Sequence, residues 1–111
     1  MKIREFHTED AAGVIDLWEA CHMVSSWNNP IEDVSRKLKI NPQDFIVGEI
    51  GDRIIASAML SYDGNWGTIH YIGIHPDIAK NKLGKQFLQY IEDTLKNRGC
   101  PKINIMALSG N

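Results

Sequence analysis

The chain has 111 residues, 43% hydrophobic and 23% charged, with a net charge of −2. That suits one domain over residues 1–111 with its own core. It offers no basic excess for a nucleic-acid partner and no acidic run for a solvating tail. No window approaches the apolar length of a membrane span, and Met1-Lys2-Ile3-Arg4-Glu5 has no apolar run behind it, so a cytosolic protein without a membrane partner is expected. The two cysteines, Cys21 and Cys100, lie far apart and form no Cys/His cluster. They are expected as reduced, packed thiols with no metal site.

In chain order, Lys2 to Phe6 alternates as a first strand. Thr8 is a candidate N-cap, with Glu9 and Asp10 in the first turn of a helix over about 9–22 whose apolar members are Val14, Ile15, Leu17, Trp18 and Cys21. Asn29-Pro30-Ile31-Glu32 starts a second helix: asparagine caps, proline takes the first helical position and glutamate closes a capping box. Asn41-Pro42 ends it. Phe45–Ile50, Ile54–Tyr62 and Thr68–Ile74 read as strands separated by the Gly51-Asp52 and Asp63-Gly64-Asn65 turns, an antiparallel meander. A helix over about 84–97 carries the stripe Phe87, Leu88, Ile91 and Leu95 and closes at Gly99; Lys102–Leu108 is the last strand. A helix between the strands at 68–74 and 102–108 requires a crossover, so these two strands are expected to be parallel. The fold class is α/β (α+β): a mixed, mostly antiparallel sheet flanked by helices, in the order β-α-α-β-β-β-α-β.

Two stretches carry candidate chemistry. Gly73 interrupts the bulky strand Tyr71-Ile72-Gly73-Ile74 before His75-Pro76, which marks either a bulge or close approach by a ligand, or relief of crowding against a helix. The following loop, Asp77-Ile78-Ala79-Lys80-Asn81-Lys82-Leu83-Gly84, places Lys80, Lys82 and Lys85 at a helix N-terminus. Cations there disfavour the helix, so the cluster is either an anion site or a solvated basic loop. Candidate general bases are His70, Tyr71 and Glu49, histidine having the intrinsic pKa for the task. Regular alternation would put His70 and Ile72 on one face and Tyr71 and Gly73 on the other, with the substrate-facing side left open. His75 reads as a loop residue, His7 and His22 as structural, and Trp18, Trp27 and Trp66 as core or rim.

The block Tyr71-Ile72-Gly73-Ile74-His75-Pro76, followed by Leu83-Gly84-Lys85-Gln86-Phe87-Leu88, resembles the cofactor-binding core of the GNAT superfamily of N-acetyltransferases. The element order agrees. So do Leu17-Trp18-Glu19, Trp27-Asn28-Asn29-Pro30, Tyr62-Asp63-Gly64 and Arg98-Gly99-Cys100-Pro101-Lys102, which are similar to a small bacterial acetyltransferase subgroup. The resemblance implies acetyl-CoA as cosubstrate. The backbone of Ile72, Gly73 and Ile74 would pair with the pantetheine arm, and Ala79, Lys80, Asn81, Lys82, Leu83, Gly84 and Lys85 would surround the pyrophosphate. It implies direct attack on the acetyl group by the amine of a small molecule or peptide. The family loop reads Arg/Gln-x-x-Gly-x-Gly/Ala; here Ala79 and Lys82 depart from it and Gly84 conforms. Family members continue past the last strand with another helix and further strands, where a tyrosine commonly protonates the leaving thiolate. A chain ending at Asn111 is therefore expected as a C-terminally shortened domain. The alternative to an enzyme is a catalytically impaired module acting by CoA binding or dimerisation. A homodimer through the edge of the C-terminal strand is expected.

Overall fold

The computed structural model describes residues 1–24, 29–79 and 82–106. Trp27, Asn28, Lys80, Asn81 and the 107–108 end of the expected last strand lie outside the described residues. Five strands form one sheet in sequential order: β1 (Lys2–Glu5), β2 (Phe45–Ile50), β3 (Arg53–Tyr62), β4 (Trp66–Ile74) and β5 (Lys102–Ile105). The first four pair antiparallel and β5 pairs parallel to β4, as the crossover requires. Helices α1 (Ala11–Ala20) and α2 (Pro30–Ile40) cover one face and α3 (Lys82–Asn97) covers the other. None of the described helices is long and apolar enough to cross a membrane.

Because both faces of the sheet centre are covered, β2 and β3 bury side chains in near-continuous runs, Phe45–Val47 and Ile54–Leu60. On the α1/α2 face Trp18 stacks on Tyr71 with ring centroids 4.3 Å apart, and Phe6 stacks on Phe45 at the same spacing. On the other face Phe87, Ile91 and Leu95, one helical turn apart, cover Ile46, Ala58, Leu60 and Ile69. Cys100 follows α3 into this cluster. A Cβ on Gly67 would stand 2.5 Å from its sulfur, so the strand is stripped of a side chain where the helix exit packs.

The capping signals act largely as expected. The Asn29 side chain accepts from the Glu32 N–H at 3.2 Å with Pro30 in the first turn, and Gly99 closes α3 at φ 87°. Thr8 is not the cap of α1. It lies inside a 3-10 turn (Thr8–Asp10) that precedes the helix, and Asp10 accepts from the His7 N–H at 2.8 Å. The acid is turned back this way because Arg4 holds both of its oxygens, at 2.7 and 3.0 Å, and so ties β1 to the helix entry.

Candidate active site

The register of β3 against β4 jumps where Ser57 faces Gly73 but Met59 faces His70. Ala58 thus stands opposite two residues, Tyr71 and Ile72: a β-bulge, with Tyr71 at φ +50°. A non-glycine residue in this region is strained by roughly 1–2 kcal/mol. Two contacts hold it there. The Tyr71 carbonyl accepts from the Ser57 hydroxyl at 3.1 Å, and Ser57 is oriented by the Trp18 indole N–H at 2.7 Å. Ser57 is fully buried, so these bonds satisfy groups that water cannot reach.

The bulge corrects the expected alternation. Ile69 and Ile72 pack on the α3 side, whereas His70 and Tyr71 both line the α1/α2 side. There they meet Asp33, Arg36, Lys37, Met59 and Ser61 around a cavity of about 420 Å³. An adjoining cavity of about 340 Å³ shares Ser61, His70 and Tyr71 and reaches Met106. Together they form one groove between α2 and the sheet. In it the Tyr71 hydroxyl donates to Asp33, which also pairs with Arg36, and the Lys37 ammonium donates to the Leu60 carbonyl.

Burial, reinforced by the nearby Lys37 charge and only partly opposed by Asp33, pushes the His70 pKa below its ordinary value. The ring has no hydrogen-bond partner among the described residues. A neutral, unengaged imidazole on a groove wall can accept a proton near neutrality. Glu49 is not brought to this groove. It sits on β2, two strands from His70, where its carboxylate accepts from the Arg4 guanidinium at 3.1 Å and is held below the usual range by that contact. Cys21 donates to the Ile74 carbonyl at 3.3 Å, and burial pushes its thiol pKa up, which argues against a nucleophile.

Pairing of β4 with β5 ends at Ile69 with Ile105, followed by one bond from the Met106 N–H to the Ile69 carbonyl. From His70 to Ile74 no strand among the described residues occupies that side of β4. Among the described residues, the expected pantetheine-pairing residues Ile72, Gly73 and Ile74 therefore have no strand partner on that side. Gly73 also serves the crowding role: a Cβ there would lie 3.2 Å from the Met23 sulfur and 3.3 Å from Trp18.

Beyond β4 the Ile78 N–H returns to the His75 carbonyl, and the loop then lies against the start of α3. A Cβ on Gly84 would stand 3.1 and 3.3 Å from the Ile78 and Ala79 carbonyls, a tight contact that would require the loop to give by a few tenths of an ångström. Ala79, Lys82 and Lys85 are exposed, Leu83 is half-buried, and the first turn of α3 contains no acidic residue. Lys80 and Asn81 lie outside the described residues.

A larger cavity, about 510 Å³, lies at the first turns of α1 beside Arg53 and His75. Its walls carry Glu9, Asp10, Asp16 and Asp52. The Arg4 guanidinium holds the Asp10 carboxyl below its usual range, and His75 is engaged by Arg53 at 2.9 Å. Its histidine is thus already engaged and its walls carry four acids, so geometry favours the groove at His70.

The sequence pointed to His70, Tyr71 and the β4–α3 block but not to Ser57, Lys37 or Asp33. Ser57 had a visible signal: it is the one polar residue within the apolar run Ile54–Leu60. Asp33 and Lys37, four residues apart on α2, gave only the pattern of a solvated helix face.

The chain and its fold have counterparts among known proteins. The acetyltransferase (GNAT) family profile matches residues 11–110. An acetyltransferase of Pectobacterium atrosepticum is 40% identical over the whole chain, which covers 79% of that protein. One of Yersinia enterocolitica matches to the same extent. Among solved structures, a GNAT acetyltransferase of Brucella melitensis in complex with acetyl-CoA superposes with a TM-score of 0.70 at 16% identity, covering 98% of this chain and 77% of that one. A Mycobacterium tuberculosis protein in complex with CoA gives a TM-score of 0.71 at 14% identity, with 95% and 63% covered. The chain belongs to the acetyltransferase (GNAT) family.

Proposed function

We propose that the protein transfers the acetyl group of acetyl-CoA to an amine entering the α2 groove. The observation that carries this reading is the coincidence at one point of β4. The β5 partner ends at Ile69, and the next two residues are swung together onto the groove by the bulge. Acetyl-CoA supplies the activated acyl carbon. On the side away from β3, the backbone from Ile72 to Ile74 has no strand partner among the described residues and offers an edge for an extended pantetheine arm and amide dipole for a developing oxyanion. The N-terminus of the 16-residue α3, with Lys82 and Lys85, supplies positive potential for phosphate, and Gly84 lets the preceding loop close on it. Lys82 stands where the family loop has glycine, so here part of the phosphate charge is met by ammonium groups acting as point charges rather than by closer backbone approach.

His70 accepts the proton that the amine sheds as its nitrogen bonds to the acyl carbon and the carbon–sulfur bond breaks. The desolvated wall keeps the ring neutral and ready to do so. Tyr71, whose hydroxyl is committed to Asp33, shapes the groove rather than taking the proton. The protein otherwise acts by holding the two reactants in line. Two free thiols support a reducing, cytosolic setting. The described part of β5 pairs on one side only, which supports association of two copies along that edge; a clean monomer by light scattering at high micromolar concentration would refute this.

The test is release of CoA thiol from acetyl-CoA in the presence of an amine panel, with His70→Gln as control. Turnover that His70→Gln abolishes supports the reading. Tight acetyl-CoA binding without turnover of any amine would instead favour a CoA-binding module.

A further inference from the structure

We infer that the groove selects amines that carry an anionic group, a carboxylate foremost, and that Lys37 receives it. This rests on the acetyl-transfer reading of the same groove. Lys37 lines the cavity together with His70, and its ammonium donates to a neutral acceptor, the Leu60 carbonyl. No carboxylate among the described residues lies within ion-pair distance of it. The two nearest candidates are already engaged: Asp33 by Arg36 and by the Tyr71 hydroxyl, Asp44 by Arg98 at 2.7 Å. Of the charged residues lining this cavity, Arg36 and Asp33 pair with each other, which leaves Lys37 as the cation in excess.

A half-buried cation without a counter-ion is a cost that a bound anion can offset. Burial lowers the Lys37 pKa; the Asp44 charge opposes this only in part, and Arg98, which holds Asp44, adds to the lowering. An acceptor that is only cationic would bring its ammonium toward His70 against this field. An amino acid or similar acceptor would place its carboxylate on Lys37 and leave its amine free for the histidine. Such an anion also draws the Lys37 charge away from His70 and thereby strengthens the base.

A rival role for Lys37 is structural, clamping the Leu60 carbonyl of β3 to α2. The two roles separate in kinetics. Amino acids are assayed against their own carboxamides, with rates referred to the neutral-amine form of each, because loss of the carboxylate also lowers the amine pKa. The wild-type protein should favour the acid over the amide by about tenfold or more in kcat/KM, with the difference in KM. In Lys37→Met that ratio should fall to about one. A ratio near one in the wild type overturns the inference, and so does a Lys37→Met effect that is equal on acid and amide. Binding of N-acetyl amino acids and their amides is measured in parallel by calorimetry. Acid-selective binding that depends on Lys37, without turnover, would refute catalysis but support the anion site. Turnover without selectivity would refute the anion site alone.

Discussion

Ser57 and Tyr71 meet across the β3–β4 bulge, the buried hydroxyl donating to the carbonyl of a residue held at φ +50°. The contact links an unusual backbone position to the core, because the same hydroxyl is fixed by Trp18 of α1. Ser57→Ala would remove the donor to the Tyr71 carbonyl and the acceptor of the Trp18 N–H. The expected cost is about 1–3 kcal/mol of stability by chemical denaturation. Trp18→Phe removes the second bond of the same network, so the double variant should lose clearly less than the sum of the two single variants. Strict additivity would mean that the network is not a unit.

His70→Gln should lower kcat/KM by about 100- to 10,000-fold, the usual range for a lost general base, while leaving acetyl-CoA affinity near the wild-type value. A change in affinity alone would place His70 in binding instead.

The pH profile provides an independent check on the same residue. The depressed His70 pKa means that the ring stays neutral until the pH falls below the ordinary histidine value of about 6.5. The acid limb of kcat/KM should therefore lie below that value. The charged groups that share the cavity with His70 are Asp33, Arg36 and Lys37 of α2, with Ser61 of β3 and Tyr71 as neutral neighbours. Removing the Lys37 charge in Lys37→Met should move the acid limb toward higher pH, since a cation no longer disfavours protonation. A limb that moves the other way contradicts the assignment. The stability contribution has the same sign: a histidine whose folded pKa is depressed costs stability only as the pH falls below the unfolded value.

Gly84→Val should weaken acetyl-CoA binding by about tenfold or more, equivalent to about 1.4 kcal/mol. Its Cβ would press on the Ile78 and Ala79 carbonyls and lift the loop from the helix start. Calorimetry checks this, and unaltered affinity would mean that the loop position does not matter for the cosubstrate.

Gly67→Ala should destabilise the fold by about 1–3 kcal/mol without touching the groove, because the new methyl group would meet the Cys100 sulfur. Adding Cys100→Ala should recover part of the loss in a thermal melt. Failure to recover any would move the cause to Leu95, 3.2 Å away.

Element order, the parallel β4–β5 pair and the helix start at Asn29-Pro30 were legible because each rests on local chemistry: a cap, a proline, an apolar period. Gly73 signalled a bulge as one possibility in this strand, but not that it would fall on Tyr71 and Ile72; the contacts of Tyr71 with Ser57 and, through it, Trp18 are distant in sequence. Without the bulge, strict alternation puts His70 and Tyr71 on opposite faces, and the groove cannot be assembled on paper. Glu49 was a reasonable candidate base by type, but its pairing with Arg4 follows from the β1–β2 register, a tertiary fact. Lys37 and Asp33 were hidden for the opposite reason: a charged pair at helical spacing is ordinarily solvated, and only docking of α2 against β3 and β4 turns it inward.

The central claim is that the open edge of β4 and the start of α3 form the acetyl-CoA site, beside His70. Titration of isotope-labelled protein with acetyl-CoA, followed by amide NMR, tests it most directly. The account predicts saturable shifts at Ile72, Gly73, Ile74, Leu83, Gly84 and Lys85, with His70 and Tyr71 responding to the acetyl group but less to desulfo-CoA. Shifts confined to the cavity at Glu9, Asp16 and Asp52, or none at millimolar ligand, would contradict it.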